Sequence, residues 1–245
     1  MTPFTDIQNA AIVASGSSFW RGPVGTGKTV ALQQRLIRLL ESGEPAYTIM
    51  VLVAEPEHRG IFESAVQASG LGPYADLTIS TFNRLALDMT TLFWPLVAGE
   101  SGFTHPYQPP TLLTYDMAQL RMWRLVQPDL DGGAFADLRL RPQQIISQLL
   151  DTLNRAALNG LTLDEAIERQ MMTWSGEKER LRHLHNAGEI AHTFRNFCLE
   201  NSLLDLSLTI EVFNTQLVDN PEFHRYFSER YRHLLVDNIE EQTPA

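Results

Sequence analysis

Cysteine occurs once in the 245 residues, as Cys198. An internal disulfide is therefore excluded, which fits a reducing compartment, and the protein is expected to be soluble and cytoplasmic. Long apolar runs are missing as well. The apolar stretch at 49–54 is far too short to cross a bilayer, so no membrane partner is expected. Positive charge is in deficit: 19 Lys and Arg stand against 29 Asp and Glu, a formal net charge of −10. That rules out a surface that is basic all over, so any nucleic-acid contact has to be a local groove. The opening residues, Met1-Thr2-Pro3-Phe4-Thr5-Asp6, carry no basic stretch followed by an apolar one, and no signal peptide is expected. Internal repeats and low-complexity tracts are also lacking. What is present, 44% hydrophobic and 20% charged residues, is an ordinary globular composition with material for one large domain or two modest ones.

The first ninety residues alternate short apolar runs with helical stretches, the pattern of a parallel α/β sheet. A short strand is expected at 18–21. A helix follows at 29–40, with Leu32, Leu36, Leu39 and Leu40 on one face and Gly43 and Pro45 closing it. The continuous apolar run at 48–54 predicts a strand buried on both faces. A weaker strand is expected at 77–81, with a helix from Asn83. Residues 93–110, rich in proline and glycine, read as a connector. From about 114 to 227 the period is helical, with helices expected at 115–126, 142–158, 164–172 and 177–200. An apolar strand returns at 231–236, ending Leu234-Leu235-Val236 and followed by Asp237. The expected architecture is an α/β domain built from about 1–92 and 202–245, with an all-α subdomain inserted at 93–201.

Gly22-Pro23-Val24-Gly25-Thr26-Gly27-Lys28-Thr29 matches the phosphate-loop pattern G-x-x-x-x-G-K-[ST] (Walker A) at every fixed position. Glycines let the backbone curl so that successive N–H groups point inward at phosphate oxygens, and the following helix offers its positive end. Lys28 is expected to reach the β- and γ-phosphates, and the Thr29 hydroxyl to bind Mg²⁺. The plainer reading, a glycine-rich turn capping a helix, is disfavoured because the expected strand precedes the loop and a strong helix follows. The loop therefore predicts binding of a nucleoside triphosphate through Gly22, Gly25, Thr26, Gly27, Lys28 and Thr29.

Such a loop needs a carboxylate at a strand end to hold the cation. Leu163-Asp164-Glu165-Ala166 offers an Asp-Glu pair, but Thr162 and Glu165 have capping-box spacing and no apolar strand leads in, so this is a helix start. His233-Leu234-Leu235-Val236-Asp237 is the better candidate, against the plain alternative of a strand-terminal turn at Asp237-Asn238. Most small kinases and RecA-like motors place this carboxylate well under a hundred residues after the loop. Here a long helical segment intervenes, which disfavours a kinase-like enzyme.

With these features in order, nearly the whole chain resembles the UvrD/Rep group of superfamily 1 DNA helicases. Phe4-Thr5-Asp6-Ile7-Gln8 looks like the family's Q motif, in which Gln8 is implied to read the adenine edge. Thr78-Ile79-Ser80-Thr81-Phe82 resembles the T-F-H segment facing single-stranded DNA, with Asn83 in place of the histidine. Residues 147–163 resemble the helical insert, and Leu203-Leu204-Asp205-Leu206 the stretch that leads back to the sheet. Residues 231–242 resemble the second nucleotide motif, I-L-V-D-E-F-Q-D-T. The resemblance implies a RecA-like P-loop fold, ATP and Mg²⁺ as cofactors, and a parent activity of ATP-driven translocation on, and unwinding of, DNA. Single-stranded DNA is the implied partner, met through Thr81 and Phe82.

Three departures bear on activity. The family's catalytic glutamate after Asp237 is replaced by Asn238, whose amide can orient water without accepting its proton. Glu240 or Glu241 is a possible substitute, so Lys28, Asp237, Glu240 and Glu241 form the candidate catalytic set. The T-F-T-N-K-A-A segment is replaced by Ala54-Glu55-Pro56-Glu57-His58-Arg59-Gly60, whose carboxylates repel phosphate. The family's remaining motifs, with their transition-state arginines, belong to a second motor domain outside these residues. Near-background ATPase is expected for this chain alone. The alternative is a non-catalytic, ATP-binding helicase-like subunit of a helicase–nuclease assembly. His183, His185, His192 and Cys198 are expected at core or solvated positions rather than around a metal, because His183 and His185 cannot share a helix face. The four tryptophans, Trp20, Trp94, Trp123 and Trp174, are expected to pack, leaving Phe82 as the candidate base-stacking ring.

Overall fold

A computed structural model describes residues 3–72, 74, 76–138, 140–176 and 179–241. The chain divides into two compact units, Met1–Leu85 with His224–Gln242, and Ala86–Phe223. The first unit holds helices α1 (Asp6–Val13), α2 (Lys28–Glu41) and α3 (Arg59–Ala68) and strands β1 (Ile49–Leu52) and β2 (Thr78–Ser80). Helix α4 (Phe82–Leu92) spans the boundary. The second unit continues with α5 (Trp94–Val97), β3 (Thr111–Leu112), α6 (Tyr115–Asp131), α7 (Pro142–Leu158), α8 (Leu163–Thr173), α9 (Glu179–Glu200), β4 (Leu203–Leu204) and α10 (Leu206–Val212). Helix α11 (Pro221–Arg230) spans the return boundary, and β5 (His233–Val236) follows.

The α/β unit is a three-stranded parallel sheet in the order β2-β1-β5. Strand β1 lies in the centre because, of these three strands, it alone is apolar at every position. Ile49, Val51 and Val53 point to one face, into a cluster with Leu32, Leu36 and Ile37 of α2, Phe62 and Val66 of α3, Ile79 and Leu235. Met50 and Leu52, on the opposite pleat, are buried too. The edge strand β5 buries only Leu235 fully, and Leu234 is 48% exposed.

The strand expected at 18–21 does not form. Phe19 is 73% exposed, and the Trp20 indole N–H closes back on Ser18 Oγ at 2.9 Å. With Trp20 alone packed against the core, the segment has neither the apolar surface nor a ladder partner to hold it extended. The connector expected at 93–110 is also partly structured. It contains α5, and buried Trp94 meets Phe103 edge-on at 4.6 Å between ring centroids while its indole N–H donates to the Gln108 carbonyl. The helix expected at 115–126 runs on to Asp131 with Pro128 inside it. Of the helix expected at 177–200, Glu179–Glu200 is helical, and residues 177 and 178 lie outside the described ones.

Among its described residues the second unit is mainly helical, with a short β3–β4 ladder. Helix α7 buries Ile145, Ile146, Leu149, Leu150, Leu153, Ala156 and Ala157, a stripe at helical period. Asp205 caps α10, accepting from Leu208 N at 3.0 Å and from the Ser207 hydroxyl at 2.8 Å. Cys198 is buried, and burial pushes its thiol up to about 12, leaving it inert. No helix among the described residues is long and apolar enough to cross a membrane.

At the start of β5 the Glu44 carboxylate accepts from the Thr48 hydroxyl at 2.8 Å and from Arg232 at 3.3 Å, with His233 Nε2 3.7 Å away. The Thr48 bond, helped by the charges of His233 and Arg232, holds this carboxyl below its ordinary value of 4.5. A depressed folded value contributes stability above the unfolded pKa that is lost as pH falls through the folded one. Glu44→Gln is therefore expected to cost about 0.5–1 kcal/mol at neutral pH. The gap from the unsubstituted chain should close below about pH 4.5 in urea titrations run from pH 7 to pH 3.5. A gap that stays constant across that range would remove Glu44 from the account.

Candidate nucleotide-binding site

The glycine-rich loop ends at α2. Gly25 and Gly27 have φ of 83° and 77°, a left-handed backbone that glycine adopts without a Cβ penalty. At Gly22 a Cβ would stand 2.9 Å from Thr26 Oγ1, so a side chain there would displace the Thr26 hydroxyl. The Thr26 hydroxyl donates to the Pro23 carbonyl at 2.8 Å and closes the curl, while Val24 at the tip is 97% exposed. Gly27 is the N-cap of α2, and no side chain caps that helix. The positive end of this helix suits an anion.

The Lys28 ammonium folds onto its own loop, donating to Gly22 O at 2.8 Å and Pro23 O at 3.4 Å. The next residue joins the loop to a distant part of the chain. Thr29 Oγ1 donates to Asp237 Oδ1 at 3.0 Å across 208 positions of sequence. Asp237 follows β5, is 6% exposed, and is fixed through its own N–H to Leu52 O at 2.9 Å. A hydroxyl and a carboxylate oxygen this close supply two hard oxygen donors of the kind Mg²⁺ takes. The residues present therefore fit a Mg²⁺–polyphosphate ligand: left-handed glycines, an uncapped helix, an ammonium and an oxygen pair.

The helix start at Leu163 behaves as its spacing predicts. Thr162 Oγ1 accepts from Glu165 N at 3.2 Å, and Glu165 accepts from Thr162 N at 2.9 Å, so the Asp164-Glu165 pair belongs to a capping box. His183 sits in the core, its two ring nitrogens 3.1 Å from Ala134 O and 2.9 Å from Asp137 Oδ2. His192 pairs with Asp164 at 2.9 Å.

Residues 5–242 match the profile of the UvrD/REP helicase N-terminal domain. The chain belongs to this helicase family. A comparison with curated proteins finds no match. For a UvrD-type helicase domain, nucleotide binding, typically with Mg²⁺, and a DNA substrate follow from membership.

Around the helicase loop the strand ends line up. Leu52 is in register with Ser80 of β2 and Val236 of β5, so Val53, Thr81 and Asp237 all leave the sheet at the same edge. With β1 between them, Thr81 and Asp237 are about 10 Å apart along that edge, two inter-strand spacings. Thr81 Oγ1 accepts from Arg84 N at 3.3 Å, and both Thr81 and Phe82 are half-buried. Glu55 and Glu57 are exposed after β1, and Arg59 pairs with Glu63 at 3.7 Å. Asn238 has φ of 50°, and its side-chain N–H donates to Glu241 Oε2 at 3.1 Å across a turn of 3₁₀ helix. Glu241 is exposed, and the side chain of Glu240 lies outside the described residues.

Gln8 is brought to the loop as well. Its Nε2 donates to Thr26 O at 2.8 Å, while its Oε1 accepts from Thr5 N at 2.8 Å. Sequence reasoning reached Gln8 through the Q-motif resemblance and missed what holds it. Thr5-x-x-Gln8 is a capping box, a signal readable from spacing alone. It also missed Arg35 of α2, which donates to the carbonyls of Ala11, Ile12 and Ala14 and so secures the last turn of α1. No spacing rule reports that contact.

Proposed function

We propose that this chain is the N-terminal, ATP-binding motor portion of a UvrD/Rep-like DNA helicase. In this reading residues 1–92 and 202–245 form a RecA-like P-loop domain, with 93–201 an inserted all-α subdomain. The observation that carries it is the Thr29–Asp237 hydrogen bond, which joins the end of the phosphate loop to a buried acid at a strand tip. A turn that merely capped a helix would have no need of that acid.

The geometry supports the following roles. Loop amides from Gly22, Gly25, Thr26 and Gly27 cradle the phosphates. Lys28 exchanges its two carbonyl partners for β- and γ-phosphate oxygens. Thr29 and Asp237 hold Mg²⁺, which when bound neutralises charge on the transferring phosphoryl group. Single-stranded DNA meets Thr81 and Phe82 at the same sheet edge. Glu55 and Glu57 weaken any DNA contact made through the β1–α3 connection, because exposed carboxylates repel the phosphate backbone.

A second reading is favoured at one position. Asn238 and its bond to Glu241 stand where the family pattern has a proton acceptor, so the chain is expected to hold ATP while hydrolysing it near background. Such a chain suits a structural subunit of a helicase–nuclease assembly as well as the front of a motor.

Mg·ATP titration calorimetry tests the nucleotide site. Lys28→Ala and Asp237→Ala are each expected to weaken binding about tenfold or more, the scale of losing charge-assisted hydrogen bonds. Undiminished binding by the Lys28 variant would discredit the loop assignment. Single-stranded DNA added to the same titration tests Thr81 and Phe82 through the heat it evolves with Phe82→Ala.

A further inference from the structure

The amide of Gln8 is held at both ends by the protein's own backbone. One end is held by Thr5 N in the capping box, the other by the carbonyl of Thr26 within the phosphate loop. Gly27 is shaped to this contact: a Cβ there would stand 3.1 Å from Gln8 Nε2. Helix α1 buries only Ile12, so its attachment depends on such polar contacts, with Arg35 gripping its other end.

The Thr26 carbonyl and the Gly27 N–H belong to one planar trans peptide, on which C=O and N–H point to opposite sides. Holding the carbonyl towards Gln8 therefore turns the Gly27 N–H away from it. The same bond polarises that N–H and makes it a better donor. Gly27 is also the N-cap of α2, so its amide stands at the positive end of the helix.

We infer that Gln8 is a positioning residue of the phosphate loop, orienting the Thr26–Gly27 peptide for an anionic oxygen whatever base the ligand carries. This rests on the nucleotide reading above and adds to it a role that operates without adenine. The ligand class it serves is a polyphosphate. If Gln8 acted solely as a reader of the base, its removal would be invisible to a ligand with no base.

The test compares Mg·ATP with Mg·tripolyphosphate, which lacks base and sugar, by titration calorimetry on the full chain. Gln8→Ala is expected to weaken both ligands by the same factor of about five, one hydrogen bond's worth. Gln8→Glu keeps the size and the acceptor for Thr5 N but loses the donor to Thr26, and it should match or exceed that loss for both. Thermal melts beside the titrations check that the variants stay folded. Loss of ATP affinity with tripolyphosphate affinity unchanged overturns the inference in favour of base reading alone. Unchanged affinity for both ligands overturns it as well. A wild-type chain that binds neither ligand brings down the nucleotide reading itself, a result distinct from either of those.

Discussion

Replacing Asn238 with glutamate is expected to raise ATP hydrolysis by this chain about 10²-fold over its own background. A positioned proton acceptor is worth roughly 10²–10⁴ in rate, and Asn238 is one residue past the acid that faces Thr29. The backbone opposes the change in part. Residue 238 has φ of 50°, where asparagine is at ease and a longer side chain costs about 1–2 kcal/mol. That cost is smaller than the expected catalytic gain, so the net effect remains an increase. Asn238→Gln is the control, since it carries the same length without a carboxylate. Phosphate release under single-turnover conditions is the measurement. If Asn238→Glu binds ATP like wild type and hydrolyses within twofold of it, position 238 does not limit the reaction. A second variant, Glu241→Gln, separates the candidates. A fall in the residual rate would make Glu241 the stand-in base, held in place by its bond from Asn238.

The other large effect is structural. Phe62→Ala is expected to cost about 3–5 kcal/mol, the range for emptying a fully buried aromatic position. Phe62 is 0% exposed, in the cluster joining α2 and α3 to β1. The helices are tied together beside it by Gln33 Nε2, which donates to Ile61 O at 3.1 Å. Against a typical total of about 5–15 kcal/mol this is a large share. Nucleotide binding should fall with it, because Asp237 is placed by its N–H bond to Leu52 of the same central strand. The measurement is the urea midpoint, set beside Ile61→Ala on the same helix. Ile61 is 45% exposed, so its truncation should stay within about 0.5 kcal/mol. Equal losses from both variants would mean that the sheet–helix core is not what holds this unit together.

The readable parts of the site were those in which chemistry is local. The glycine-rich loop declares itself because left-handed turns need Gly25 and Gly27, and these with Lys28 fall in one short, recognisable pattern. Strand β1 was legible because a strand buried on both faces must be apolar throughout, and Thr162 with Glu165 because a capping box spans a single turn. The strand expected at 18–21 failed for the converse reason. Four residues with one packed side chain show no period, and a ladder partner cannot be inferred from one strand alone. Pairing of β3 with β4 was invisible too, since two-residue strands so far apart in the chain leave no pattern.

By itself, then, the order of residues determined a glycine-rich loop of the phosphate-loop pattern, a central apolar strand, a long helical interval and an acid at the tip of a late strand. Each is set by a rule operating over a few neighbours. Tertiary structure alone decided that Thr29 and Asp237 lie 3.0 Å apart, that Gln8 braces Thr26, and that Asn238 turns its amide towards Glu241. Those contacts depend on side-chain reach across parallel strands and a docked helix, and such distances exist only once the core around β1 has closed.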